Sequence, residues 1–149
     1  MHVKTVLGNK GFDAFSVSPD DTVLTVLRMF SKKKIGFAVV GDRDGTVLGT
    51  VSERDICQAM SSAEGASRQT AIKEVMAKNI ETCALDDNLV KVMAAMTEKK
   101  TRHMLVYNEG ALRGVISIGD VVKHRLDEVM REEKDLMKYI DGTGYNYAS

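Results

Sequence analysis

The sequence predicts a mixed α+β (α/β-type) fold built from two consecutive β-α-β-β-α units. A shift of 66 residues, reduced to 65 by one gap near Arg43, superimposes residues of the same type. Such self-similarity indicates a repeated supersecondary unit. The superimposed residues include Asp20-Asp21 with Asp86-Asp87, Lys33-Lys34 with Lys99-Lys100, Gly49 with Gly114, Ser52 with Ser117, and Asp55 with Asp120. In both copies, compact apolar runs and helically spaced apolar residues also follow one another in the same order.

Each copy is predicted to begin with a short strand, at residues 15–17 and 81–83, followed by a helix. Asp20-Asp21 and Asp86-Asp87 are expected to cap these helices, because a carboxylate accepts hydrogen bonds from free backbone N–H groups and complements the helix dipole. Apolar residues recur at helical spacing, namely Val23, Val26, Leu27 and Phe30 in the first copy and Leu89, Val92, Met93 and Met96 in the second.

Two strands and a second helix complete each copy. The strands are expected at residues 37–40 and 47–51 in the first copy, and at residues 104–107 and 112–116 in the second. Asp44-Gly45 and Glu109-Gly110 separate the strands and are typical of tight turns. Residues 3–7 and 72–76 are short leader segments that match each other loosely, and residues 61–70 are small and polar, as in a linker.

The predicted boundaries are 1–64 for the first repeat, 65–130 for the second, and 131–149 for an extended C-terminal helix and tail. The last helix carries apolar residues on alternating four- and three-residue steps, interrupted only by Glu133: Val122, Leu126, Val129, Leu136 and Ile140. It either lies on its own domain or contacts another subunit. Because the helix outruns the repeat unit, we favour a subunit contact for part of it. Residues 141–144 are expected to end it, and residues 145–149 to form a tail.

Composition and charge exclude several classes of protein. Lysine plus arginine and aspartate plus glutamate number 21 each, which argues against a general binder of nucleic acid or of anionic membranes, since such proteins carry net positive charge. The apolar runs are too short to span a bilayer. Cys57 and Cys83 follow no export signal, so we expect a reducing cytoplasm without a disulfide, and a core position for Cys57. The histidines show no metal-ligand spacing with the cysteines, so no metal site is expected.

The turn that precedes the second helix carries the chemistry of each copy. It joins a strand to a helix N-terminus, where free N–H groups and the helix dipole favour an anion. Ser52 and Ser117 can donate to a phosphate oxygen, and Asp55 and Asp120 can accept from the two hydroxyls of a ribose, as acidic residues do in dinucleotide folds. The same residues fit a Ser-x-x-acid capping box that needs no ligand. Residue chemistry alone leaves both interpretations open.

The chain resembles the cystathionine-β-synthase-type (CBS) domain family. The resemblance rests on the tandem β-α-β-β-α order and on residues 99–106 and 114–120, and it covers nearly the whole chain as a stand-alone pair. It implies two CBS repeats packed about a pseudo-two-fold axis, with two clefts between them. It also implies that the clefts bind adenosine-containing ligands such as AMP, ADP, ATP, NAD(H) or S-adenosylmethionine, and that the pair forms a disk-shaped homodimer.

The resemblance also assigns roles to residues of this chain. It makes Asp55 and Asp120 the ribose ligands, places Ser52 and Ser117 beside the phosphate or the ribose, and brings Ser16 and Thr82 near the adenine. The base pocket would be formed, through backbone and aliphatic contacts, by Lys34, Ile35, Gly36 and Phe37 and by Thr101, Arg102, His103 and Met104. The other candidate nucleotide-binding residues are Thr50 and Arg54.

The two copies differ in charge around this turn. Arg54 is matched by Gly119, whereas Arg102-His103 is matched by Gly36-Phe37. We therefore expect both clefts to accept adenine nucleotides with different preferences, and one of them to take a larger ligand such as NAD. His103 has no nucleophile or second carboxylate in register with it, so we expect a phosphate contact or a packed position and no catalytic residue.

The expected function is a non-catalytic, cytoplasmic module that binds AMP, ADP, ATP or NAD(H) and reports their level to an unidentified protein partner. The expected mechanism is a population shift, in which the nucleotide favours the arrangement that it binds more tightly. One alternative is an enzyme that acts on a bound adenine nucleotide. Another is an architectural dimer whose clefts are vestigial.

Overall fold

The computed structural model describes residues 1–10 and 14–142. Within that range the elements are α1 (Val3–Lys10), β1 (Ser16–Val17), α2 (Val23–Lys33), β2 (Phe37–Gly41), β3 (Val47–Ser52), α3 (Glu53–Ser61), β4 (Thr82–Ala84), α4 (Leu89–Lys99), β5 (His103–Asn108), β6 (Ala111–Ser117) and α5 (Ile118–Gly142). A single 3₁₀ turn, Ile72–Glu74, precedes β4. The predicted β-α-β-β-α order is therefore confirmed in both copies.

Each copy contributes one three-stranded sheet. The strand orders are β1-β2-β3 and β4-β5-β6. β1 runs parallel to β2, whereas β2 pairs with β3, and β5 with β6, in antiparallel fashion. These antiparallel pairings place Phe37 opposite Ser52 and His103 opposite Ser117. The two hairpins therefore present equivalent residues at the end where the second helix begins.

The described chain divides into two compact units, each with its own apolar core. One unit contains the described residues that follow α1, up to Thr82, and its core consists of Val17, Val23, Val26, Phe30, Ala38, Val40, Val51, Ile56 and Ile72. The other joins the N-terminal segment to the chain from Cys83 onward, and its core consists of Val3, Val6, Leu7, Cys83, Leu89, Val92, Met96, Met104, Val106, Ile116 and Val121. Fully burying a large aliphatic side chain stabilises a fold by roughly 1.5–3 kcal/mol.

Each leader segment packs into the core of the other copy: residues 3–7 into the second and residues 72–76 into the first. The Val3 N–H donates to the Asp87 carbonyl (3.0 Å), and the Val3 side chain is fully buried in the core of the second copy. The Ile72 N–H donates to the Asp21 carbonyl (2.8 Å), and the Ile72 side chain is fully buried in the core of the first copy. The compact units therefore differ from the predicted division between residues 64 and 65, because each leader supplies apolar surface to the copy that it does not precede.

The predicted caps of α2 and α4 are wrong by one residue. Thr22 Oγ1 accepts from the Thr25 N–H (3.2 Å), and Asn88 Oδ1 accepts from the Val90 N–H (2.7 Å). The preceding aspartates instead close the turn before each helix, since Asp21 Oδ2 accepts from the Ser18 N–H at 2.9 Å. The equivalent bond of the second copy joins Asp87 to Ala84. A threonine or asparagine at the N-cap competes well with aspartate, because all three carry a short oxygen acceptor.

The prediction of a core position for Cys57 is also wrong. Cys57 is exposed, whereas its neighbour Ile56 is 2% exposed and belongs to the first core. At 3.6 residues per helical turn, adjacent residues cannot both face the core from the same stripe of α3. Cys83 is buried, as befits a residue of the second core.

The last helix, α5, is 25 residues long and extends beyond the part that packs on the fold. It contacts α1, α4 and β6, and Val121 is fully buried. Seven large apolar side chains of α5 beyond Val121 are exposed by 43–68%: Val122, Leu126, Val129, Met130, Leu136, Met137 and Tyr139. The predicted tail at residues 145–149 lies outside the described residues. None of the helices in the described ranges combines the length and apolarity needed to cross a membrane.

Candidate functional site

The turn between β3 and α3 forms a complete capping box. The Ser52 N–H and hydroxyl both donate to Asp55 Oδ2, each at 2.9 Å. In return, the Asp55 N–H donates to Ser52 Oγ (3.1 Å). Ser52 is thus the N-cap of α3 and Asp55 is its third residue. The capping interpretation of this motif is therefore confirmed for the first copy.

The turn between β6 and α5 repeats this geometry. The Ser117 N–H donates to Asp120 Oδ2 (3.0 Å), and the Asp120 N–H donates to Ser117 Oγ (3.1 Å). All four residues are half-buried, so a ligand in solution can reach them. Capping does not use up the acceptor capacity of a carboxylate, which offers about four lone-pair sites on two oxygens. Both predicted uses of the aspartates are chemically compatible.

A second segment lies against the start of each of these helices. The Glu53 N–H donates to the Gly36 carbonyl (3.0 Å), and the Ile118 N–H donates to the Arg102 carbonyl (2.8 Å). These bonds bring the predicted base-pocket loops to the capping turns in both copies. They also show that Gly36 and Arg102 occupy equivalent positions. The two predicted loop stretches, 34–37 and 101–104, therefore do not begin at equivalent residues, and differ by one position.

The remaining loop residues differ in what they offer a ligand. Lys34 is exposed and ends α2 in the left-handed conformation, with φ 55°. The Ile35 side chain packs partly against the first core. The Thr101 hydroxyl donates to the His103 carbonyl (3.0 Å), which stiffens the second loop. Met104 is 4% exposed and belongs to the second core, so its side chain anchors the end of the loop in that core.

Three predicted site residues lie farther along the strands. Ser16 pairs with Val39 in β2, and its Oγ lies beside Gly41, at the opposite end of β2 from Phe37. Thr82 is exposed at the start of β4. Thr50 is 8% exposed, and its backbone is bonded in both directions to Ala77. The structure therefore brings the loop and turn residues together and places Ser16 away from the turn of its own copy.

Gly49, which lies in β3 three residues before Ser52, is required by a close backbone approach. A Cβ at Gly49 would lie 2.6 Å from the Ala77 carbonyl oxygen and 3.0 Å from Met76 Sδ. The 2.6 Å contact is decisive, because it involves a backbone atom and lies far below the roughly 3.5–4.0 Å at which packed carbon atoms attract best. Gly49 thus allows the segment after the 3₁₀ turn to pair with β3, which is the close approach that glycine permits.

Glu53 is a candidate site residue that sequence reasoning missed. A Cβ at Gly36 would lie 3.1 Å from Glu53 Cδ, so the carboxylate group of Glu53 lies over the Gly36 α-carbon. The equivalent positions of the second copy are Ile118 and Arg102. The signal was present in the repeat alignment, because position 53 is acidic where position 118 is apolar. The first turn therefore carries an acidic residue at the contact with its loop, where the second turn carries an apolar one.

No cluster of three or more potential metal ligands occurs among the described residues. Of the two thiols, Cys83 is held protonated by its surroundings. Burial, with a smaller contribution from the nearby Asp87 carboxylate, raises the pKa of Cys83 to about 12. A thiol with so high a pKa is a poor nucleophile and a poor metal ligand.

Comparison with known proteins identifies the family to which these turns belong. The CBS domain profile matches residues 10–62 and 72–127, once for each copy. A mitochondrial CBS domain-containing protein of Arabidopsis thaliana is 28% identical over 131 residues, which are 85% of this chain and 63% of that protein. The chain thus spans somewhat less than two thirds of the length of this relative.

Solved structures share the fold. A CBS-domain containing protein from Agrobacterium tumefaciens is 40% identical, with a TM-score of 0.80 over 83% of this chain and 92% of that one. A CBS domain protein from Pyrobaculum aerophilum complexed with AMP is 26% identical, with a TM-score of 0.69 over 80% and 89% of the two chains. The CBS domain pair of protein MJ0100, in complex with 5′-methylthioadenosine and S-adenosyl-L-methionine, is 17% identical, with a TM-score of 0.73 over 86% and 98%.

Proposed function

The chain belongs to the CBS domain family, and we propose that it is a non-catalytic regulatory module that binds adenosine-containing nucleotides and reports their level to a protein partner. The observation that carries this proposal is the meeting of two segments in each copy. A Ser–Asp turn with spare acceptor capacity lies hydrogen-bonded to a loop at Gly36 in the first copy and at Arg102 in the second. The turn suits a ribose and the loop suits the adenine base.

The ligands of similar structures support an adenosine ligand. AMP is bound to the Pyrobaculum aerophilum protein, and 5′-methylthioadenosine and S-adenosyl-L-methionine are bound to the MJ0100 pair. The three ligands have adenosine in common and differ in what is attached to it. We therefore propose AMP or another adenine nucleotide as the ligand, with NAD or NADH as a larger ligand that contains the same group.

The proposed mechanism is a population shift. A nucleotide changes the equilibrium between two conformations only to the extent that it binds them with different affinity. A protein partner that recognises one conformation then responds to the nucleotide concentration, and by linkage the partner changes the nucleotide affinity by the same factor. We place this partner and the module in the cytoplasm.

Mass spectrometry of ligands that copurify with the chain tests the proposal. We expect AMP, ADP, ATP, NAD or another adenosine compound in the unsubstituted chain, and less of it in a variant that combines Asp55→Asn with Asp120→Asn. Equal amounts in both proteins, or no adenosine compound in either, would overturn the proposal. Incubation of the chain with AMP, ATP and NAD should leave each of them chemically unchanged, whereas turnover would favour the enzyme alternative.

An architectural role is the second candidate, and the capping boxes favour it. Ser52, Asp55, Ser117 and Asp120 already have a structural use, so their duplication is explained even if the chain binds nothing. The two roles differ in a measurable way. In an architectural protein, Asp55→Asn and Asp120→Asn change the free energy of unfolding and leave no binding to be lost.

We also propose that the chain forms a homodimer through the outer part of α5. Val122, Leu126, Val129 and Leu136 lie on one stripe at alternating four- and three-residue steps, and all four are exposed. Such spacing is typical of helices that pair along a seam. Seven large apolar side chains of α5 are exposed by 43–68%, and a standard interface buries ~800 Å² on each partner. A second copy supplies a stripe of the same length and spacing.

A further inference from the structure

The two candidate sites carry different charges at two positions that contact each other, one in the turn and one in the loop. In the first copy, Glu53 lies over Gly36, with Glu53 Cδ 3.1 Å from where a Cβ of Gly36 would be. In the second copy the corresponding pair is Ile118 and Arg102, joined by the same backbone hydrogen bond. The first copy therefore has an acidic residue beside a glycine, whereas the second copy has an apolar residue beside an arginine.

This difference lies where the ligand would sit. Glu53 immediately follows Ser52 and precedes Asp55 by two residues, and its own N–H donates to the carbonyl of the loop proposed to hold the base. Glu53 and Arg102 are both exposed, so neither charge is screened by protein atoms from a ligand in solution. A phosphate near Glu53 is repelled, whereas a phosphate near Arg102 gains a charge-assisted hydrogen bond.

We propose that Glu53 determines the ligand class of the first copy. The first copy then takes adenosine compounds whose 5′ substituent is neutral or cationic, such as a thioether or a sulfonium. The second copy takes adenosine compounds whose 5′ substituent is a phosphate. This inference rests on the proposed function, because it assigns ligand classes to the same two sites.

Arg54 is the cation of the first turn. It follows Glu53 directly, so the two charges largely cancel for a ligand at a distance. At contact range they do not cancel, because Glu53 adjoins Ser52, the residue expected beside the phosphate or the ribose, whereas Arg54 is one residue farther along the exposed first turn of α3. We therefore assign the dominant role to Glu53.

Calorimetric titration with adenosine and with AMP tests this inference, because the two probes differ only in the phosphate. Asp120→Asn is used as a background that isolates the first site, and Asp55→Asn as a background that isolates the second. The measured quantity is the ratio of the AMP dissociation constant to the adenosine dissociation constant at each site. Dividing by the adenosine value removes any effect of a substitution on folding or on the ribose contacts.

We expect the ratio to be greater than one at the first site and less than one at the second. Glu53→Gln should lower the ratio at the first site by roughly tenfold, and Ile118→Glu should raise it at the second site by a similar factor. The difference between the parent chain and the Glu53→Gln variant should shrink as salt is raised from about 0.05 M to about 0.5 M, since exposed charges are screened. Asp44→Asn, which removes one exposed carboxylate at the far end of the same hairpin, serves as the matched control and should leave the ratio unchanged.

An unchanged ratio in the Glu53→Gln variant would overturn the inference while leaving the proposed function intact. An equal shift with Asp44→Asn would also overturn it, because net charge and not position would then be responsible. Absence of adenosine and AMP binding in the unsubstituted chain would overturn the proposed function, and this inference with it. S-Adenosylmethionine provides a further check, since its sulfonium should bind the first site more weakly after Glu53→Gln.

Discussion

Asp55 accepts two hydrogen bonds from Ser52 through the same oxygen, Oδ2, one from the backbone N–H and one from the hydroxyl, both at 2.9 Å. Because both bonds reach Oδ2, the other carboxylate oxygen of Asp55 is left for further hydrogen bonds. The two bonds tie the helix start to the strand end while the carboxylate keeps further acceptor capacity. A single aspartate can therefore complete the capping box of α3 and still accept from the hydroxyls of a ribose.

Loss of the cap serine should destabilise each copy. Ser52→Ala and Ser117→Ala each remove the acceptor of the Asp55 or Asp120 N–H, and loss of an N-cap costs about 1 kcal/mol. Urea denaturation should show this loss as a lower midpoint with an unchanged slope. Ser61→Ala, at the exposed C-terminal end of α3, is the control and should change the free energy of unfolding by less than about 0.5 kcal/mol. Equal effects at all three positions would contradict a capping role.

Two glycine substitutions should act in opposite directions. Gly49→Ala forces a Cβ to within 2.6 Å of the Ala77 carbonyl oxygen, so the strand pairing there must open, and overpacking of this kind costs roughly 1–3 kcal/mol. Gly8→Ala lies within α1 with nothing inside 4 Å of the new Cβ, and it should stabilise the helix by up to about 1 kcal/mol. Thermal unfolding of the two variants beside the parent chain distinguishes them. A Gly49→Ala protein as stable as the parent would refute the close approach.

The two cysteines should react at very different rates. Cys57 is exposed, whereas Cys83 is buried and its pKa is raised to about 12. At about pH 8 a disulfide reagent such as DTNB should modify one thiol rapidly, and the second only after denaturant is added, because the thiolate is the attacking form. Cys57→Ser should abolish the fast phase, and Cys83→Ser should leave it intact. Two fast thiols in the native chain would contradict the burial of Cys83.

The α5 stripe should be the site of self-association. Val129→Glu and Leu136→Glu place a charge on an exposed apolar stripe, so sedimentation should change from dimer to monomer at micromolar concentration. Lys138→Glu introduces the same side chain on α5 away from that stripe and should remain dimeric, because positions nine residues from Val129 lie on another face of a helix with 3.6 residues per turn. A monomeric parent chain, or a dimer that survives Leu136→Glu, would rule out this interface.

The elements of the fold were predictable because the repeat supplied each pattern twice. The hairpins, with turns at Asp44-Gly45 and Glu109-Gly110, and the helices after them follow from local periodicity and turn chemistry. The packing of each leader segment against the other copy was not predictable, because the residues around Val3 and Ile72 do not indicate which core each of them joins. The N-caps were missed because aspartate, threonine and asparagine compete as caps with similar energies.

The candidate site was predictable in part. Ser52, Asp55 and their counterparts stand out from the repeat, and both of their uses follow from side-chain chemistry. The contact of Glu53 with Gly36 depends on a hydrogen bond between segments 17 residues apart, Glu53 N–H to the Gly36 carbonyl. The match of Gly36-Phe37 with Arg102-His103 was visible in the repeat alignment, and the strand pairings of Phe37 with Ser52 and His103 with Ser117 agree with it.

Binding of AMP, measured by isothermal titration calorimetry, tests the central claim most directly. The parent chain should bind AMP saturably, and the variant that combines Asp55→Asn with Asp120→Asn should lose most of that binding. Asparagine keeps a side-chain oxygen for capping, so circular dichroism should confirm that the variant is folded. No detectable heat of binding in the parent chain, or the same AMP affinity in the double variant, would contradict the account.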